Sequence, residues 1–111
     1  MIEEIRGRFK MEIRPNSQGY EYLEAVIGRD ELELLKSVLT KHLGCSAKEP
    51  EREANLPIEI QRLVDSMGGL RVDQSFYYSQ GDNGEIAFAF LWPWASNSKK
   101  VTLKAGRRSI A

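Results

Sequence analysis

Two side chains near the middle of the chain, His42 and Cys45, are its single histidine and single cysteine. A structural zinc site needs four ligands and a catalytic zinc site three, mostly Cys and His. Carboxylates of Glu49, Glu51 or Glu53 could complete such a set, but no regular spacing relates them to His42 and Cys45. We therefore expect no metal site. His42 is interpreted as a helix-end residue and Cys45 as a small residue after a helix stop.

Nucleophilic catalysis also has little support in the residue pattern. A Cys45 thiolate would be disfavoured by the partial negative charge at a helix C-terminus. There is no Gly-x-Ser-x-Gly elbow, and one histidine is available as a base. The glycine-rich turns at 68–69 and 81–84 precede no predicted helix, so neither predicts a phosphate cradle. No cofactor is expected, and whether the protein is an enzyme is left open, with the missing motifs favouring a non-enzyme.

Aromatic residues of the C-terminal third are the main candidates for a functional surface. Phe88 and Phe90 are expected in the core, but a strand end with two tryptophans is difficult to bury completely. Such residues are enriched at protein–protein contacts. The leading hypothesis is a binding or assembly module, with a homodimer as one form. The predicted interface residues are Trp92, Trp94, Tyr77 and Tyr78.

The same region leaves two other functions open. Sheets that expose aromatic rings beside Lys and Arg can stack single-stranded bases. The predicted nucleic-acid contacts in that case are Lys99, Lys100, Lys104 and Arg107. The second alternative is a small-ligand protein or enzyme with a pocket between helices and sheet, which hydrophobic periodicity does not reveal.

Length and charge limit these hypotheses. At 111 residues, 41% of them hydrophobic and 29% charged, the chain has the size and composition of a single domain over 1–111. The net charge is zero, but residues 1–69 hold ten basic and thirteen acidic side chains, and residues 70–111 hold six and three. Because the chain as a whole has no basic excess, strong nucleic-acid binding is disfavoured. The opposite net charges of residues 1–69 and 70–111 would suit a contact between two copies of the chain. The single cysteine and the absence of a secretory signal or a long apolar run predict a cytoplasmic protein without membrane contact.

Hydrophobic periodicity predicts the N-terminal elements. Residues 8–14 alternate, with Phe9, Met11 and Ile13 on one face, and this period of two predicts a half-buried strand. Turn-forming residues at 15–19 end it. Residues 20–27 fit either a strand or a helix, and their Tyr, Val and Ile content favours a strand.

Two helices follow. A stripe of leucines predicts a helix over 30–43, with Asp30 as the N-cap residue. Residues 45–56 are polar and show no periodicity, so we expect a mobile charged loop. The second helix begins near Pro57 and ends at the glycine pair 68–69.

The final third predicts three strands, over 70–79, 86–92 and 101–106, and a disordered tail over 107–111. The predicted order is two strands, two helices and three strands, with the second strand left open as above. Segregated strands and helices imply an α+β fold. We expect an antiparallel sheet of four to five strands with both helices packed on one face.

Overall fold

The computed structural model describes residues 1–19, 21–81 and 83–109. Its helices are α1 (Ile2–Arg8), α2 (Leu32–Leu43) and α3 (Ile58–Ser66), and its strands are β1 (Met11–Ile13), β2 (Tyr22–Gly28), β3 (Ser75–Gln80), β4 (Glu85–Pro93) and β5 (Lys100–Ser109). The strands form one antiparallel sheet in the order β1-β2-β5-β4-β3. The predicted α+β class and antiparallel sheet are confirmed.

Strand β4 is apolar on both sides because it lies inside the sheet, between β3 and β5. Phe88 and Phe90 point to one face, whereas Ala89 and Leu91 point to the other, and all four are buried. Pro93, which has no amide hydrogen for a sheet ladder, ends the strand as predicted.

Helices cover both faces of the sheet. On the face that we call the first, α1 and α2 pack against strand residues such as Leu103. On the second face, α3 packs against Phe76, Phe88 and Phe90. The two predicted helices, α2 and α3, therefore lie on opposite faces and not on one, and α2 shares its face with α1, which the sequence pattern did not predict. Strands β3 and β4 carry apolar side chains on both faces, so a helix on each face is needed to shield these side chains from water.

The N-terminus differs from the expectation. The strand predicted over 8–14 is correct only for Met11–Ile13, and residues 2–8 form α1 instead. An acidic first turn and a basic last turn suit the helix dipole, and Ile2 and Ile5 are buried. Ile13, expected on the buried face, is 44% exposed on this three-residue edge strand.

Strands β2 and β5 pair along seven residues in the middle of the sheet. Residues 20–27 were expected to form a strand or a helix, with the strand favoured. Residues 22–27 do form a strand, and Tyr20 lies outside the described residues. The prediction of a disordered tail is wrong at 107–109, because these residues extend β5 and pair with β4. Residues 110 and 111 lie outside the described part.

Helix α2 begins two residues later than expected. A 3-10 turn, Arg29–Glu31, precedes it, and Glu31 rather than Asp30 occupies the N-cap position. No side-chain hydrogen bond caps this end. At the other end Gly44 has a φ of 82°, a conformation that glycine adopts without steric cost.

The segment between α3 and β3 is a turn rather than strand. Gly68 and Gly69, with φ of 106° and 79°, end α3 as predicted. The strand predicted over 70–79 begins only at Ser75, because residues 71–74 close a turn through the Gln74 amide and the Arg71 carbonyl, 3.1 Å apart. Val72, expected in the strand, is 62% exposed.

The polar composition of residues 45–56 suggests a loop that is exposed throughout, but part of this loop is buried. Lys48 is only 7% exposed, and its Nζ donates to the carbonyl oxygens of Glu49, Val72 and Gln74 at 3.1, 3.2 and 2.8 Å. The Lys48 backbone also pairs with Phe76 at the edge of β3. The loop is therefore fixed to the sheet at this residue, and the mobility of its exposed part stays a prediction.

His42 joins α2 to α1 through the carboxylate of Glu4. The Glu4 oxygens lie 2.7 Å from Lys41 Nζ, 2.8 Å from His42 Nε2 and 2.8 Å from Arg8 Nη1. Hydrogen bonds from Lys41, then from His42 and Arg8, lower the pKa of Glu4 from 4.5 to about 2. His42 thus has a structural partner here.

Acid should therefore remove a contribution of Glu4 to stability. Because the folded-state pKa is the lower one, this contribution is complete above about pH 4.5 and is lost as the pH falls through about 2. We expect the difference in free energy of unfolding between wild type and Glu4→Gln to shrink over that range, measured by denaturant titration. Glu3→Gln, an exposed neighbour, serves as control. A difference independent of pH would contradict this account.

Candidate interaction surface

On the second face, the apolar cluster around α3 does not extend onto β5, whose positions on that face are polar residues and a glycine. The apolar cluster around α3 includes side chains of β3 and β4, Tyr22 of β2 and none of β5. The strand register places Glu24 of β2 beside Lys104 of β5, and Thr102 beside Trp92. We call this region the Trp surface, and its residues are Trp92, Trp94, Glu24, Lys100, Thr102 and Lys104.

Trp92 lies at the border between the α3 cluster and the Trp surface. Its ring meets Phe90 edge-on at 6.1 Å between centroids, and Gly68 approaches its outer edge. The Nζ of Lys104 lies 3.7 Å from the centre of the ring. The indole nitrogen is buried and has no hydrogen-bond partner among the residues that the structure describes. Trp92 is therefore partly a core residue, and its ring face is occupied by a cation.

Trp94 follows the end of β4, and its indole reaches back onto β5. Its Nε1 donates to the hydroxyl oxygen of Thr102 at 2.8 Å, and Lys100 Nζ lies 5.2 Å from the ring centre. The backbone amide of Trp94 also donates to the Lys100 carbonyl at 3.1 Å. Trp94 remains partly exposed in this fixed position. A rigid aromatic side chain of this kind loses little conformational entropy when it binds a partner.

Glu24 is the acidic centre of the Trp surface. One of its carboxylate oxygens accepts hydrogen bonds from Tyr22 at 2.9 Å and Asn16 at 3.0 Å, and lies 3.9 Å from Lys104 Nζ. Burial, followed by the hydrogen bond to Glu24, raises the pKa of Tyr22. The Lys104 and Glu24 side chains are only 18% and 19% exposed, so this ion pair is largely desolvated.

The structure brings together two of the four predicted interface residues. Tyr77 is 2% exposed in the cluster of the first face, and burial raises its pKa to about 12. Strand alternation turns it away from Trp92, so Tyr77 is not part of the Trp surface, and its place in an interface stays a prediction. Tyr78 is half-buried and stacks on Phe76 at 5.7 Å, within the α3 cluster and away from Trp94.

The predicted nucleic-acid contacts are also divided. Lys100 and Lys104 lie on the Trp surface, but each faces an indole ring of the same chain. Lys99 is exposed in the turn before β5. Arg107 belongs to the other face of β5 by strand alternation, and Arg108 occupies the corresponding position on the second face.

Sequence reasoning missed Glu24, Tyr22 and Thr102, which complete the surface. The pairing of β2 with β5 brings Tyr22 and Glu24 beside the lysines across about 80 residues of chain, whereas Thr102 is itself a residue of β5. Their alternation along each strand was the one available signal, since it places each of them on the face opposite Leu23, Ile27 and Leu103.

Other evidence for function is limited. Among the described residues, no group of three or more His, Cys, Asp or Glu side chains is placed to hold a metal ion. No helix in the described ranges is long and apolar enough to cross a membrane. Comparisons with family models, with characterised proteins and with solved structures find no match.

Proposed function

We propose that the protein is a non-enzymatic binding module that associates with a second copy of itself through the Trp surface. The observation that supports this most is the position of Trp92 and Trp94, held partly exposed beside the polar second-face residues of β5. Tryptophans at the centre of a contact commonly contribute most of its binding energy. A cytoplasmic location is part of the proposal, and the exposed free thiol of Cys45 suits a reducing compartment.

A second copy is favoured as the partner by the charge pattern. Along β5, the second-face positions carry Lys100, Lys104 and Arg108, and the neighbouring second-face positions of β2 and β1 carry Glu24 and Glu12. A two-fold axis between β2 and β5 would set the cations of each copy against the carboxylates of the other. Such a contact is self-complementary, as a symmetric dimer requires.

Single-stranded nucleic acid is the competing partner, because the three cations of β5 lie in one row beside aromatic rings. Two features make it the weaker proposal. Lys104 occupies the ring face on which a base would stack, and Glu24 adds negative charge to the same surface. Binding of an oligothymidylate that weakens steeply with salt would favour nucleic acid, because phosphate contacts release counterions.

The test is sedimentation velocity over a dilution series. We expect wild-type protein to dimerise and Trp94→Ser to raise the dissociation constant at least about tenfold, the effect of losing one central aromatic contact. The matched control is Leu34→Ser, which removes an apolar side chain that is 45% exposed on α2, above the first face.

Circular dichroism must show that both variants fold. Equal loss of dimer in Trp94→Ser and Leu34→Ser, or no loss in either, would contradict the proposal. Added salt should weaken the dimer, since part of the contact is electrostatic.

A further inference from the structure

A second feature lies on the first face, in a cavity between the start of α2 and the sheet. Its volume is about 270 Å³, which suits a ligand of a few heavy atoms rather than a nucleotide. The floor is apolar and includes Leu91 and Val101, which are 2% and 1% exposed, with Leu32 of α2 at one side. Trp94 borders the cavity too, so the tests below leave that residue in place.

Four charged side chains line this small cavity. Arg29 and Lys36 extend from the α2 side, whereas Glu51 and Asp73 lie on the side formed by the loops. Within the described ranges, none of the four makes an ion pair within 4.0 Å. Opposite charges thus line one apolar cavity without neutralising each other. A ligand that carried both charges could pair with both sides.

The loop side of the cavity is held in place by the rest of the fold. Glu51 has a φ of 65°, a left-handed conformation that is rare for a residue with a side chain. Its amide donates to the Val72 carbonyl at 2.6 Å, and the same carbonyl accepts a hydrogen bond from Lys48. Backbone strain of this kind persists where the surrounding structure enforces it, and it is concentrated at ligand sites.

We propose that this cavity binds a small zwitterion with an aliphatic chain, of the class of the free apolar α-amino acids. The carboxylate pairs with Arg29 and Lys36, the ammonium group pairs with Glu51 and Asp73, and the aliphatic chain lies on the apolar floor. The cavity shares Trp94 at its border with the Trp surface, but the four charged side chains assigned to the ligand do not belong to that surface.

The test is a titration followed by proton–nitrogen correlation spectra, with L-leucine as the probe. We expect saturable shifts of the amides of Leu32, Leu91 and Val101. Isocaproic acid, which lacks the ammonium group, and isoamylamine, which lacks the carboxylate, should each bind at least about tenfold more weakly, since each leaves one pair of charges without a partner. No saturable shift up to about 10 mM L-leucine, or equal binding of the three compounds, would overturn the proposal.

Two variants locate the site. Lys36→Gln and Asp73→Asn remove one charge from each side and should each weaken L-leucine binding about tenfold. Arg62→Gln, on the exposed side of α3, should leave it unchanged. Full binding by both cavity variants would overturn the assignment even if L-leucine binds.

Discussion

Replacing Phe90 by Ala is expected to lower the free energy of unfolding by about 3–5 kcal/mol. Phe90 is fully buried, and its ring centre lies 4.7 Å from that of Phe76, 5.8 Å from Phe88 and 6.1 Å from Trp92. Truncation would leave a cavity between α3 and the sheet. The surrounding side chains are closely packed and can relax into such a cavity only in part. Trp92 would lose the ring that supports it, so the emission of Trp92 should shift to longer wavelength.

Denaturant unfolding at a fixed protein concentration measures this effect, because dimerisation makes stability concentration-dependent. Phe90→Leu is the matched control, since it keeps most of the buried volume and should cost only about 1 kcal/mol. A loss below about 1.5 kcal/mol in Phe90→Ala would show that this cluster is not the packed core of the second face.

The second large effect is expected for Lys48→Met, with a loss of about 3 kcal/mol in the free energy of unfolding. Methionine keeps the length and apolar stem of the side chain but removes three charge-assisted hydrogen bonds to backbone carbonyls. The carbonyls of Glu49 and Val72 also accept hydrogen bonds from Arg52 and Glu51, so the Gln74 carbonyl is the oxygen most affected.

Lys99→Met provides the control for Lys48→Met, because Lys99 is exposed and the same substitution there should change stability by less than about 0.5 kcal/mol. Hydrogen exchange should also show faster exchange of the Ala47 and Phe76 amides in Lys48→Met. If Lys48→Met were as stable as the control, Lys48 would not hold the loop to β3.

Regular periodicity made most of the fold predictable. The leucine stripe of α2, the apolar side of α3 and the two-sided apolar pattern of β4 each reflect burial that local sequence records. Helix α1 was missed because its seven residues contain only two buried apolar side chains, too few for a helical period to show. The side of the sheet that α3 covers could not be predicted, since both faces of β3 and β4 are apolar.

The candidate surface was predictable only in part. A strand end with two tryptophans is visible in the sequence, and both do remain partly exposed. Tyr77 and Tyr78 are adjacent and similar in type, but the phase of β3 places only Tyr77 in the cluster of the first face. The bond of Lys48 to Gln74 and the pairing of Glu24 with Lys104 join distant segments, which no local pattern specifies.

Binding of a second copy of the chain by the Trp surface can be followed in proton–nitrogen correlation spectra over a dilution series. The chain has two tryptophans, and therefore two indole N–H signals, both on this surface. We predict that both signals and the amides of Thr102 and Lys104 shift with the dimer fraction measured by sedimentation, while the amide of Leu34 stays fixed. Indole signals that remain constant while the dimer forms, or a monomer at all concentrations up to about 1 mM, would contradict the account.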